Sequence, residues 1–273
     1  MITVRRATER LHDKSAKQEK WLTFDPQNRA DPLADGFGVL EILNEVRLAP
    51  GAGVPRNARQ ETEILTYVHE GVLAYEDSIG HSGVVQAGEF QRVTSGRGLR
   101  HSKMNASRSD WAHFFQLWLH PSEAELEPEH VQKRFSAAER RNGLCVVASP
   151  DGRRGSLRIH QDVLVCSALL DPGQHVVHEL SPGRSAWLHI VHGEVTLGDL
   201  VLTAGDGAGV AAEPAVSFTA VEESEILLVN LGERMSKPVA ESASSPKRRG
   251  RKSALLPFIL TGTACLSDGL PAR

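Results

Sequence analysis

The sequence predicts an all-β protein of antiparallel sandwich or barrel type, built from two similar halves. Short runs rich in β-branched and aromatic residues recur, such as ETEILTY, VLAYEDS and WAHFFQLWL, with glycine turns between them. Little of the chain carries a helical pattern. The two halves also repeat one another: YVHEGVL corresponds to IVHGEVTL, and VQAGEF to LTAGDG. A duplicated β unit of roughly 100 residues accounts for this economically.

Taken in order, Ile2–Val4 reads as a strand. The polar stretch after it carries Trp21 and Phe24, which need burial, and DPQNRADPLADGFG reads as loop. Gly38 to Val46 alternates as a strand does, and the whole arm is expected to cover a sheet edge. LAPGAG is a turn, and ETEILTYVHEG is a strand ended by Gly71. VLAYEDS runs to the turn SIGHSG, short strands follow around Val84 and Phe90–Val93, and Trp111 to Leu119 is a core strand. Residues 121–141 are polar and interrupted by Pro128, which predicts an inter-domain loop with at most short helices. Strands then resume, punctuated by Pro-Gly, His-Gly and Asp-Gly. The division is residues 1–135, residues 136–231 and a tail, 232–273. The tail is rich in Ser, Pro, Lys and Arg and reads as disordered, with a basic cluster at Lys247, Arg248, Arg249, Arg251 and Lys252.

A net charge of -3 supplies no basic field, which argues against nucleic-acid binding. The start, MITVRRATERLHDK, lacks the apolar core of a secretory leader. No run reaches the roughly 18 apolar residues of a membrane span, the tail's LLPFILTGTACL included. Cys145, Cys166 and Cys265 lie far apart without CxxC spacing, so free thiols and a cytoplasmic location are expected.

Between Gly51 and Asn105, two stretches carry polar side chains two residues apart: Asn57 with Arg59, and His101 with Lys103. Residues two apart on a strand share a face, so all four meet if both strands line one cavity. Other candidates read as structural. His175 and His178, and likewise His189 and His192, have opposite strand parity. His113 either reaches the first cavity or is a core histidine bonded to backbone. Cys145 and Cys166 have no histidine near them in sequence, and SGRG at Ser95–Gly98 lacks the Lys-Ser/Thr of a phosphate loop.

The stretch ETEILTYVHEGVLAYEDSIGHSGVVQAGEFQRVTSGRGLRHSKMN closely resembles the pirin family of the cupin superfamily, nearest to the bacterial pirin-like proteins that include quercetin 2,3-dioxygenases. The resemblance continues through FQLWLHP, HVQKRF, SPDGRRGSLRIHQDVLVCSALL, AWLHIVHGEVTL and LTAGDGAGV, and covers residues 1–231. It implies a bicupin: two antiparallel β-barrels of jelly-roll type packed face to face. It also implies a divalent metal, commonly iron, held by two histidines at the positions of Asn57 and Arg59, and by a histidine and a glutamate at those of His101 and Lys103. Of that set His101 alone remains. Asn57 offers a weak neutral oxygen, Arg59 has no lone pair, and Lys103 must first lose its proton. The expected cofactor is therefore none, with iron, nickel or manganese as the alternative if the site is rescued.

Arg59, Lys103 and a protonated His101 would suit a small carboxylate, phosphate or sulfate. Alternatively Glu63 pairs with Arg59 or Lys103, and the site is a filled remnant. Three functions follow. The first is a metal-free module that binds a small anion or a protein partner. The second, implied by the resemblance, is a metal-dependent oxygenase of quercetin 2,3-dioxygenase type with a flavonoid ligand. The third is a metal-free enzyme with His101 as general base and Arg59 and Lys103 stabilising an anionic intermediate.

Overall fold

The structure, a computed structural model, describes residues 1–232, and within that range the backbone alone at residues 55–57. The basic cluster, the apolar run after it and Cys265 lie outside the described residues. The strands of the first half, with the arm before them, are β1 (Ile2–Arg5), β2 (Leu11–Lys14), β3 (Gln18–Leu22), β4 (Leu40–Leu48), β5 (Gly53–Arg59), β6 (Glu63–Glu70), β7 (Val72–Asp77), β8 (Ser82–Gln86), β9 (Glu89–Thr94), β10 (Leu99–Asn105), β11 (Ala112–Leu119) and β12 (Glu129–Arg134). A short helix, α1 (Ala137–Arg140), precedes β13 (Cys145–Ser149), β14 (Leu157–Arg158), β15 (Val163–Leu170), β16 (His175–Glu179), β17 (Ser185–His192), β18 (Glu194–Leu197), β19 (Leu200–Thr203), β20 (Gly207–Ala211), β21 (Ala215–Ala220) and β22 (Ser224–Leu231). Among the described residues no helix is long and apolar enough to cross a membrane.

These strands make four sheets. A seven-stranded sheet, β12-β9-β6-β11-β4-β3-β2, packs on a four-stranded one, β5-β10-β7-β8. The second half repeats the plan with β1-β20-β17-β22-β15-β13-β14 and β16-β21-β18-β19. Among the described residues no sheet closes on itself, so the expected barrels are in fact open two-sheet sandwiches. Closure needs a continuous ladder around the unit. Here the chain leaves one sheet for the other at turns such as Ala49–Ala52, where the Ala52 amide bonds back to the Ala49 carbonyl and β5 begins in a different sheet from β4.

The arm covers edges in both halves: β1 pairs with β20, while β3 and β2 extend the first large sheet. The expected loop at 121–141 holds β12, paired with β9, and then α1, whose N-cap Ser136 and Glu139 form a capping box. An edge strand needs few apolar residues, and EHVQKR offers Val131 alone, which is why the pattern hid it.

The duplication shows in matched hairpins. β6 turns into β7 at Gly71, and β17 into β18 at Gly193, both at positive φ. A Cβ would stand 2.9 Å from the Ala112 Cα at the first and 2.4 Å from the Glu223 carbonyl oxygen at the second, so only glycine fits either turn. A β-bulge precedes each turn. His113 pairs with Glu70 and Phe114 with Val68, leaving His69 extra; His192 pairs with Glu225 and Ile190 with Ile226, leaving Val191 extra.

The two large sheets face one another across a shared apolar layer that includes Leu65, Tyr67, Phe115 and Leu117 from one and Val165, Trp187, Leu227 and Val229 from the other. Two buried guanidiniums lie in this seam. Arg10 donates to the Glu45 carboxylate at 2.7 Å and to the Gly205 carbonyl at 3.2 Å, and His113 Nε2 is 2.9 Å from the same carboxylate. Arg140 donates to Glu225 at 2.7 Å and to the Tyr67 and Ser167 hydroxyls at 3.1 Å. Tyr67 donates to Glu225, and His69 Nδ1 lies 3.0 Å from its other oxygen. Burial raises the Glu45 carboxyl, but the His113 hydrogen bond and the Arg10 charge outweigh it and hold it at about 2.

Removing one partner of a buried ion pair strands the other, typically at a cost of about 3–5 kcal/mol. Arg140→Ala should therefore lower the urea unfolding free energy by about that amount. Arg153→Ala, which breaks the exposed pair with Asp151, should leave the midpoint unmoved. Equal midpoints for the two variants would show that the Arg140–Glu225 pair does not stabilise the seam.

Candidate functional site

Strands β5 and β10 run antiparallel, with His101 opposite Asn57 and Leu99 opposite Arg59. A bulge between His101 and Lys103 then sets Lys103 opposite Val54. Arg59, His101 and Lys103 line a cavity of about 40 Å³ with Val54, Phe114, Gln116 and Trp118. The backbone of Asn57 is beside them, and its side chain lies outside the description. Among the described residues no acidic side chain lines the cavity.

Each group is held differently. The Arg59 guanidinium lies over the Trp118 ring at 4.6 Å and donates to the Ala58 carbonyl at 3.0 Å. The Lys103 ammonium is buried and donates to the Thr66 hydroxyl at 2.5 Å. Burial lowers that amine to about 7. His101 Nδ1 is buried without a partner among the described residues. Burial, with Lys103 and Arg59 adding to it, lowers this imidazole to about 4, so near pH 7 it is neutral rather than protonated as expected.

Glu63 does not pair with Arg59 or Lys103. It accepts from the Thr94 hydroxyl at 2.8 Å, the His160 amide at 2.6 Å and His160 Nδ1 at 2.8 Å, with Arg92 3.6 Å away. The sequence parity fails because Arg59 ends β5 and Glu63 begins β6, in different sheets, with Glu61 at positive φ between them. On β6 the residues Glu63, Leu65 and Tyr67 share the face toward the second half, away from the cavity.

The other histidines singled out in the sequence do not line the cavity. His175 is exposed and bonds Thr219, and His178 bonds Asn230. His189 is buried and His192 exposed. His113 bonds the Glu45 carboxylate, so it reaches neither the cavity nor a backbone group. Cys145 and Cys166 are free thiols, and burial raises the pKa of both, Cys166 to about 12. Sequence reading missed one cluster: ligand atoms of His69, Glu70 and His113 lie within 4.8 Å of one another. Consecutive strand residues normally point to opposite faces, and only the bulge at His69 undoes that. Burial lowers the His69 imidazole, but the Glu225 hydrogen bond and nearby carboxylates outweigh it and raise the pKa overall.

Known proteins resemble most of the chain. A family model described as Pirin matches residues 4–119, and one described as quercetinase C-terminal cupin domain matches residues 146–231. Quercetin 2,3-dioxygenase of Escherichia coli (strain K12) is 37% identical over 231 residues, spanning 85% of this chain and 99% of that protein. A pirin-like protein of Caulobacter vibrioides is 31% identical over 201 residues, 73% of this chain and 86% of its own. The crystal structure of YhhW from Escherichia coli superposes with a TM-score of 0.81 at 36% identity, covering 87% of this chain and all of that one. Bacterial pirin YhhW in complex with nickel(II) gives 0.80 at 36% identity, covering 85% of this chain and 100% of that one.

The divalent metal of such relatives does not fit the matching residues here. Arg59 has no lone pair and is stacked on Trp118, the Lys103 amine is engaged by Thr66, and His101 is the one imidazole.

Between the folded-state value of Lys103, about 7, and the ordinary lysine value of 10.5, the unfolded chain binds one proton more than the native one. Native stability should therefore rise with pH across that window, by up to about 1.4 kcal/mol per unit. Urea titrations of wild type and Lys103→Met between pH 6 and 10 test this. The curve of Lys103→Met should lack the Lys103 contribution and so rise less with pH than wild type, and parallel curves would mean that Lys103 is not desolvated.

Proposed function

The chain belongs to the pirin family, and on that premise we propose that its altered cupin site is a metal-free receptor for a small anion, a carboxylate by preference. One observation carries the reading: two basic side chains and a neutral imidazole line a small cavity with no acidic side chain described there. A buried ammonium whose described partner is a neutral hydroxyl lacks a counter-charge, and an anion supplies it. The planar Arg59 fork suits a carboxylate, Lys103 adds a point charge, and neutral His101 can donate one hydrogen bond. A cavity of about 40 Å³ admits only a few non-hydrogen atoms, which selects formate- or acetate-sized ligands. In this reading residues 1–135 form the binding half and residues 136–231 the supporting half, with β1 crossing to the large sheet of the latter. Free thiols at Cys145 and Cys166 support a reducing compartment such as the cytoplasm.

A second reading, flavonol oxygenation, has the support of relatives named quercetin 2,3-dioxygenase. Against it stand the replaced ligands and the size of the cavity, since drug-sized ligands occupy pockets of about 300–1,000 Å³. A third reading, with His101 as general base, is weakened by its value of about 4, poorly matched to work near neutrality.

Calorimetric titration with formate and acetate tests the proposal. Hydrogen bonds to charged groups contribute about 1.5–3 kcal/mol, so Arg59→Ala should weaken binding by roughly tenfold to a hundredfold. Wild-type affinity should also fall as pH rises through about 7, where Lys103 loses its charge. Absent binding, or equal affinity in Arg59→Ala, would refute the receptor. Carbon monoxide release during aerobic incubation of the metal-loaded protein with quercetin would favour the second reading instead.

A further inference from the structure

The seam between the large sheets holds a second constellation, independent of the cavity. His69 and Glu70 end β6, and His113, the second residue of β11, pairs with Glu70 beside them. The bulge at His69 lets two consecutive residues approach the same partner, and one ligand atom from each of the three lies within 4.8 Å of the others. His69 Nε2 already stands 3.7 Å from the Glu70 carboxylate.

Each imidazole is also anchored from behind by a carboxylate. His69 Nδ1 is 3.0 Å from Glu225, and His113 Nε2 is 2.9 Å from Glu45. This fixes the rings and leaves His69 Nε2 and His113 Nδ1 as the nitrogens available for coordination. Carboxylate–imidazole pairs of this kind orient and strengthen metal-binding histidines. Arg140 and Arg10 secure the two carboxylates in turn. The three carboxylates of Glu45, Glu70 and Glu225 stand around the two imidazoles, with the guanidiniums of Arg10 and Arg140 behind them.

We propose that His69, Glu70 and His113 bind one divalent transition-metal ion of the zinc class at the rim of the seam. Two imidazoles and a carboxylate are donors suited to such an ion, and three protein ligands leave a coordination position for water. Two donors on one tetrahedral zinc stand about 3.3 Å apart, as bonds of 2.0–2.1 Å require. The group must tighten from its present spacing, and the exposed Glu70 side chain has room to turn inward. His69 and His113 are partly and largely buried, so the ion sits at the surface end of an ordered base. The duplicated half has no counterpart, because Val191 occupies the bulge position of His69.

Zinc titration of the full chain, purified without a histidine tag, tests the site. One equivalent should bind, Glu70→Gln should weaken it at least tenfold, and His69→Leu or His113→Leu should abolish it. Glu70 is exposed, so its variant stays informative if a histidine variant fails to fold. Zinc K-edge absorption of the loaded protein should show two imidazole scatterers. Absence of a stoichiometric equivalent would overturn the proposal. An equivalent that survives in Glu70→Gln and His69→Leu but disappears in His101→Ala would also overturn it, by placing the ion in the cavity.

Discussion

The Glu225 carboxylate is the point on which much of the architecture depends. It belongs to β22 of the second half, yet Tyr67 and His69 of β6 and Arg140 of α1 all converge on it. Glu45, on β4, plays the matching part with Arg10 and His113. Apolar burial across the seam supplies most of the attraction but little direction. The two charged clusters fix how the sheets meet, because a shift of a residue would leave guanidiniums and carboxylates buried apart. Arg10 follows β1, and Arg140 follows β12, the edge strands that lie on β20 and β9 in the two large sheets. The two halves thus share a device as well as a sheet plan, with different partners: Glu45 in one sheet and Ser167 in the other face equivalent positions on β11 and β22.

The same geometry explains the cavity's charge. Glu63 is drawn onto the seam face of β6, where Thr94, His160 and Arg92 satisfy it. Thr66, three residues on, points the other way and receives Lys103. Alternation along one strand therefore sends the acid to the seam and leaves the base in the cavity. Had the chain crossed from β5 to β6 without changing sheets, Glu63 and Arg59 would share a face and the cavity would be neutralised.

Much of this was legible in the chain. The glycines at 71 and 193 mark equivalent hairpins because each faces a neighbouring backbone that admits no Cβ. The period of two puts His101 and Lys103 on one face of β10, and it survives because the extra residue of the bulge lies on β5, between Val54 and Asn57. Other features depend on long-range contacts that spacing does not encode. Whether sheets close depends on which edges pair. β12 is polar because it is an edge, so it lacks the alternation that would reveal it. The bulge at His69 adds one residue on one strand only, and nothing in YVHEG distinguishes it from a regular strand end. The acidic partners of His69 and His113 lie 156 and 68 residues away in the chain.

The core strand WAHFFQLWL shows where pattern reading meets its limit. Phe114, Gln116 and Trp118 face the cavity, whereas Phe115 and Leu117 join the apolar layer of the seam and His113 bonds Glu45 there. A strand covered on both sides has no solvent face, so hydrophobicity cannot alternate and the run becomes nearly continuous. What distinguishes the two faces is chemistry of contact rather than polarity. One face offers Trp118 as a plate for Arg59 beside Gln116, and the other offers close-packed rings around Tyr67. β6 is divided in the same way, with Thr66 toward the cavity and Tyr67 toward the seam. The sheet that carries the receptor is thus also one wall of the interface between the halves. Its residues answer to two sets of neighbours, and this constrains them more tightly than either surface would alone.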